Sequence, residues 1–283
     1  MVSHRNVRSL VHEFMEDMSP SERKAARAVL AGYPSSALGT VAELAAVADV
    51  SPPTVIRFAA RLGYSGWPEL QRDVVKGLND EGSPLSQYPH KTGAAHEDGR
   101  DVLTRSRRTF VDMIESTYES LPESEFRAMV HELCDRKKQI MLVGGRFSGF
   151  LAEYLAAHLR LLRPGISMVG HDELSRATAV ADANRQTVLV VFDYRRYTAW
   201  AEHLAQTIQT QGATVCLMTD VWLSPIARTS SVVLPCPVES PSPFDSITAA
   251  TAVVESLIAA VTEQLGEHGK RRVALAEGIL RDA

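Results

Sequence analysis

Cysteine is scarce: Cys134, Cys216 and Cys236 are the only three in 283 residues, and no two form a CxxC pair. An odd, dispersed set excludes a disulfide framework or a cysteine-based zinc site and fits a reducing cytoplasm. The nine histidines are equally scattered, with no HExxH or related spacing, so neither a metal nor another cofactor is expected. Long apolar runs are missing: the longest belong to short strands or amphipathic helices, below the roughly 20 residues of a membrane span. The opening MVSHRNVRSLVHEF carries no secretory core. These absences lead to the expectation of a soluble cytoplasmic protein with no membrane partner. Positive charge is not in excess either. Thirty Lys and Arg against 34 Asp and Glu give a formal net charge of -4, which excludes a broadly basic nucleic-acid coat. A small basic reading face remains compatible with that balance.

What is present divides in two. Residues 81–100, EGSPLSQYPHKTGAAHEDGR, combine Gly, Pro, Ser and charge without an apolar period, which is linker composition. The expected domains are 1–80 and 101–283. Everything before the linker reads as helix. Ser19-Pro20-Ser21-Glu22 and Thr40 with Glu43 are capping boxes, and Ser51-Pro52-Pro53 opens a further helix that runs to Gly63. After the linker, apolar strands at 140–143, 166–169, 188–192, 215–218 and 232–234 alternate with helical stretches near 148–163, 173–182, 198–211 and 246–265. That alternation predicts an α/β, doubly wound, five-stranded parallel sheet following an all-α domain. Ligands of such sheets sit at the carboxyl ends of the strands.

In residues 40–66, TVAELAAVADVSPPTVIRFAARLGYSG, two short helices meet at a tight turn over 48–50. Val55, Phe58, Ala59 and Leu62 recur at helical spacing and form a core face. Ser51, Thr54, Arg57 and Arg61 occupy the other face, with no acidic residue from Ser51 to Gly66. Hydroxyls at a helix start and arginines suit phosphates and base edges. The alternative is an ordinary helical hairpin with two solvated arginines. Leu44, Ala45, Val50, Ser51, Thr54, Val55, Arg57, Phe58, Leu62, Gly63, Tyr64, Gly66, Trp67, Glu69 and Leu70 meet, position by position, the helix-turn-helix pattern of the RpiR-type bacterial regulators. The chain resembles that family over essentially its whole length. The resemblance implies a DNA-binding transcription regulator rather than an enzyme, with Thr40, Ser51, Pro53, Thr54, Arg57 and Arg61 as candidate contacts to a double-stranded operator. Residues 1–80 contain only nine basic and nine acidic residues. Affinity therefore requires a focused face, doubled in a homodimer or tetramer.

The same family places a SIS (sugar isomerase) domain, flavodoxin-like in topology, after the linker. IMLVGGRFSGFLAEYLAAHL resembles its first strand, glycine turn and helix, with Arg146 at the second glycine and Ser148 retained. DYRRYT stands where sugar-phosphate-binding members carry S-x-S-G-x-T: Asp193 and Arg195 replace the serines, Arg196 replaces the glycine and Thr198 remains. The small-hydroxyl phosphate cradle is lost. Two readings follow. In one, Arg146, Arg195 and Arg196 clamp a carboxylate or phosphate of a small effector. In the other, Asp193 pairs with an arginine and locks the loop. Asp245 and Ser246, at the start of the last helix, complete the candidate effector set. Alternatives to a sensor are a degenerate dimerisation scaffold and a sugar-phosphate isomerase with Glu173 or Asp245 as base. His171 and Asp172 read mainly as a polar strand end.

Overall fold

Ser19 and Thr40 each start a helix by the reciprocal device their sequence announces. In the computed structural model, which describes residues 7–81, 84–93 and 101–281, Ser19 Oγ accepts the Glu22 N–H while the Glu22 carboxylate accepts the Ser19 N–H. Thr40 and Glu43 repeat the exchange. The chain divides between Ser86 and Gln87 into two units. The first holds α1 (Val7–Phe14), α2 (Pro20–Ala31), α3 (Ser35–Leu38), α4 (Val41–Ala48), α5 (Pro52–Arg61) and α6 (Trp67–Glu81). Asp49 ends α4 in the left-handed region, φ 52°, which a short polar side chain tolerates. Val55, Phe58, Ala59 and Leu62 are buried as their spacing predicts, together with Leu44, Ala45 and Leu70. Trp67 Nε1 donates to Gly39 O at 2.9 Å and pins α6 to the turn ahead of α4.

The second unit begins within α7 (Pro84–Gly93) and continues through α8 (Val102–Ser120) and α9 (Glu123–Cys134). Then follow β1 (Gln139–Gly144), α10 (Gly149–Leu162), β2 (Ile166–Met168), α11 (Glu173–Asp182), β3 (Thr187–Asp193), α12 (Ala199–Thr210), β4 (Thr214–Thr219), β5 (Val232–Pro235) and α13 (Thr248–Arg281). The strands are all parallel in the order β2-β1-β3-β4-β5, the doubly wound arrangement with its switch point between β1 and β3. Alternate side chains feed two cores. Ile140, Leu142, Val188, Val190, Phe192, Cys216 and Met218 pack with α9, α10 and α13. Met141, Val143, Leu189, Val191, Val215 and Leu217 pack with α11 and α12.

Four helices depart from the sequence expectation. α7 occupies half of the expected linker, whose residues 94–100 lie outside the described part. α8 and α9 were not foreseen; α8 buries only Met113 and Thr117, whereas α9 places Met129, Val130 and Leu133 in the core. α13 continues beyond residue 265, turning at Gly266, whose φ of 48° suits glycine. At the base of the sheet Arg163 is 1% exposed. Its guanidinium donates to the carbonyls of Leu133 (2.7 Å), Asp135 (2.9 Å), Pro164 (3.1 Å) and Lys138, tying the end of α9 to the approach to β1.

Candidate functional site

On α5, Ser51, Pro53, Arg57 and Arg61 are exposed. Thr54 is not: it is 3% exposed, a correction to its place on the reading face. It lies one turn before Phe58 and so falls on the flank of the core stripe. Its hydroxyl instead organises the surface above it, meeting Ser51 Oγ at 3.0 Å and accepting from Arg57 at 2.9 Å. Ser51 makes no side-chain cap; Pro52 and Pro53 carry no N–H, and the Thr54 N–H donates to Ser51 O at 2.9 Å. Thr40 is exposed, with its hydroxyl engaged by Glu43. The local absence of acid is answered from α2: Arg61 stands 3.9 Å from Glu22. Bonds from Ser19, with the Arg61 and Arg57 charges, hold the Glu22 carboxyl below the usual carboxylate range.

In the second unit the functional edge is built where β1, β3 and β4 end. Gly144 must be glycine, because a Cβ there would lie 2.6 Å from Gly149 N. Ser148 is buried, accepts the Gly145 N–H at 2.8 Å and donates to Phe192 O at 2.7 Å. It therefore neither caps α10 nor offers a free hydroxyl; it ties the β1 turn to the end of β3.

Asp193 is also drawn inward. It is 6% exposed, accepts from Ser224 Oγ and pairs with no arginine among the described residues, contrary to the ion-pair expectation. Its register on β3 points it between sheet and α12, and burial, with the nearby Asp220 charge, pushes its carboxyl up to about 7. Asp220, buried at the end of β4, accepts from Tyr197 Oη (2.5 Å), Arg195 N (2.6 Å) and Trp222 N (3.0 Å). Burial raises its pKa to about 6. Asp193 and Asp220 thus fix the loop from inside.

Arg195 makes the ion pair that the sequence assigned to Asp193. It bonds Asp245, and its guanidinium lies 4.5 Å from the centre of the Trp222 ring. Arg195 Nε and Thr198 Oγ1 are buried without a hydrogen-bond partner among the described residues. Arg196 takes the left-handed φ of 70° where the pattern has glycine. Arg146 is exposed and Arg196 half-buried on the loops that follow the adjacent strands β1 and β3. Neither makes an ion pair among the described residues. Ser246 accepts the Thr248 N–H at 3.1 Å and starts α13. His171 packs edge-on against Trp200, and Asp172 caps α11.

A cleft of about 240 Å³ opens beside this edge, bounded by Lys91, Arg195, Trp222, Glu239, Phe244 and Asp245. Lys91, Asp220 and Trp222 escaped the sequence reading. Lys91 was hidden in linker-like composition, and the other two follow a strand whose T-D turn was recognised without a role. Among the described residues no cluster of three His, Cys, Asp or Glu could hold a metal, and no helix is long and apolar enough to cross a membrane.

Fold and site together define a helix-turn-helix unit followed by a SIS-type sheet. The rpiR-family helix-turn-helix domain matches residues 5–81, and the SIS domain matches residues 132–260. The chain thus joins an rpiR-family helix-turn-helix domain to a SIS domain. It is similar to the HTH-type transcriptional regulator HexR of Pseudomonas aeruginosa, 26% identical over 269 residues, 93% of this chain and 91% of HexR. Among solved structures, the Vibrio vulnificus NanR protein complexed with ManNAc-6P superposes with a TM-score of 0.66 at 18% identity, covering 98% of both chains. The sugar isomerase domain of an RpiR transcription factor from Sphaerobacter thermophilus gives 0.60 at 18% identity, over 63% of this chain and 99% of that one.

Proposed function

We propose that the protein is a sequence-specific DNA-binding transcription regulator whose SIS unit senses a small metabolite carrying an anionic group. The observation that carries the sensor half is the presence of cations at the switch-point edge where the family pattern has glycines. Arg146 and Arg196 rise from the loops after β1 and β3 without ion-pair partners among the described residues, and the buried Thr198 hydroxyl is left unbonded. A buried hydroxyl without a partner is unusual in a finished fold and suits a site that a ligand completes. The rpiR-family helix-turn-helix match and the exposed Ser51, Pro53, Arg57 and Arg61 support the DNA half, with Thr40 at its border. An isomerase is the weaker reading, since Asp245 is held by Arg195 and Glu173 lies exposed at the head of α11. The lock formed by Asp193, Ser224 and Asp220 favours a scaffold as second reading, and one experiment separates the two.

An operator can be selected from random duplex DNA and titrated in gel shifts with wild type, Arg57→Ala and the double variant Arg146→Ser, Arg196→Gly. Arg57→Ala should weaken binding by about 1–3 kcal/mol at fixed salt. The double variant should bind DNA as wild type does but lose its response to anionic metabolites. A wild type whose operator affinity answers to no metabolite would leave only the scaffold.

A further inference from the structure

The cleft beside Arg195 has a charge pattern that narrows the ligand class, an inference that rests on the sensor reading above. Two cations, Lys91 and Arg195, and two carboxylates, Glu239 and Asp245, line a space of about 240 Å³, with Arg195 bonded directly to Asp245. That volume lies below the roughly 300–1,000 Å³ of drug-sized sites and suits a small metabolite. Trp222 and Phe244 supply apolar wall, Phe244 being 54% exposed and so open to cover. Lys91 uses one donor on Ser240 O, at 2.8 Å. Arg195 uses one arm on Asp245, and its Nε is buried without a partner among the described residues.

We propose that this cleft binds a free α-amino acid as its zwitterion. The carboxylate meets Arg195 and Lys91, the ammonium meets Asp245 and Glu239, and the side chain lies against Trp222 and Phe244. Charge parity is the reason. A phosphate dianion entering beside Arg195 would face Asp245 and Glu239 at close range, and like charges brought together in a partly desolvated site are disfavoured. Two positions of this edge that would offer a phosphate a hydroxyl no longer do so. Ser148 Oγ is bonded on both sides, and Asp193 has replaced a hydroxyl with a buried acid. A zwitterion places opposite charge against each pair, and an arginine fork is suited to a carboxylate.

Isothermal titration of the full chain with each common α-amino acid, glucose 6-phosphate and inorganic phosphate tests this. At least one amino acid should bind, and its des-amino and decarboxylated analogues should each bind at least about tenfold more weakly, the loss expected for a charged hydrogen-bonding group. Glu239→Gln changes an exposed side chain and should weaken the amino acid about three- to fivefold, as an exposed ion pair allows, with no such loss for the des-amino analogue. Failure of every amino acid to bind overturns the inference. If glucose 6-phosphate binds and Glu239→Gln tightens it, the zwitterion assignment falls while the sensor reading stands. If nothing binds and operator affinity is indifferent to every compound, both fall.

Discussion

Replacing Asp193 by Asn should stabilise the second unit at alkaline pH. Asp193 is 6% exposed at the end of β3, and its carboxyl is pushed up to about 7 from an ordinary 3.8, first by burial and then by the Asp220 charge. Between those two values the folded chain holds a proton that the unfolded chain has released. Stability therefore falls as pH rises through the window, and the penalty is complete above about pH 7. The separation of about three pH units, at about 1.36 kcal/mol each, sets an upper bound of about 4 kcal/mol. An amide removes the charge and keeps one acceptor, and the Ser224 hydroxyl can turn to accept from the new NH₂. Any donor left unmatched costs about 1–3 kcal/mol at every pH, so a net gain of roughly 1–3 kcal/mol is expected at about pH 8, turning into a net loss of about 1–3 kcal/mol near pH 4, where the charge penalty is gone. Urea unfolding followed through tryptophan emission reads this, since Trp200 and Trp222 both lie in the second unit. Subtracting the two pH profiles removes most of the parallel contribution of Asp220, which burial also raises. A variant that is less stable at about pH 8, or a difference that does not change with pH, would refute the buried-acid argument.

Phe58→Ala should destabilise the first unit by about 3–5 kcal/mol, because Phe58 is fully buried in its core; an unchanged melting temperature would remove α5 from that core. Arg163→Met should orphan four backbone carbonyls. A loss of about 3–5 kcal/mol, the range for breaking a buried charged network, is expected in urea unfolding, and hydrogen exchange should show it as early opening of the end of α9 and the start of β1. Arg61→Ala should weaken operator binding less than Arg57→Ala, because Arg61 is drawn toward Glu22; equal losses in gel shifts would contradict that ranking.

The sheet was legible because each strand is a continuous apolar run and each intervening helix carries a cap or an apolar stripe. Strand order β2-β1-β3-β4-β5 adds what no single run contains, namely which ends adjoin. Among the helices that escaped notice, α8 buries little, and α7, PLSQYPHKTG, mixes Pro, Gly and polar residues that read as linker. At the site, residue types were visible and partners were not. Arg195, Asp193 and Asp245 were all singled out, yet Asp193 bonds Ser224 and Arg195 bonds Asp245, fifty positions away. Thr54 shows the same limit, since a hydroxyl at the border of a core stripe turns inward or outward by the packing of a neighbouring helix.

The DYRRY loop divides the work that two readings gave to one cluster. Its inner residues are fixed: Asp193 by Ser224, and the Arg195 backbone and Tyr197 by Asp220. Its outer guanidiniums stand on that fixed base, one paired with Asp245 and one raised by a left-handed backbone at Arg196. A rigid base lowers the ordering cost of ligand capture, so part of the stability lost to two buried acids returns as preorganisation. The lock and the clamp are then parts of one device. In place of a cradle of hydroxyls, buried carboxylates hold the loop from inside and arginines take its outer side. That division predicts separability. Asp193→Asn should change stability without changing which compounds bind, while substitution at Arg196, which makes no ion pair among the described residues, should change ligand choice at nearly constant stability of the sheet. A single variant that moved both properties together would show that lock and clamp are not distinct.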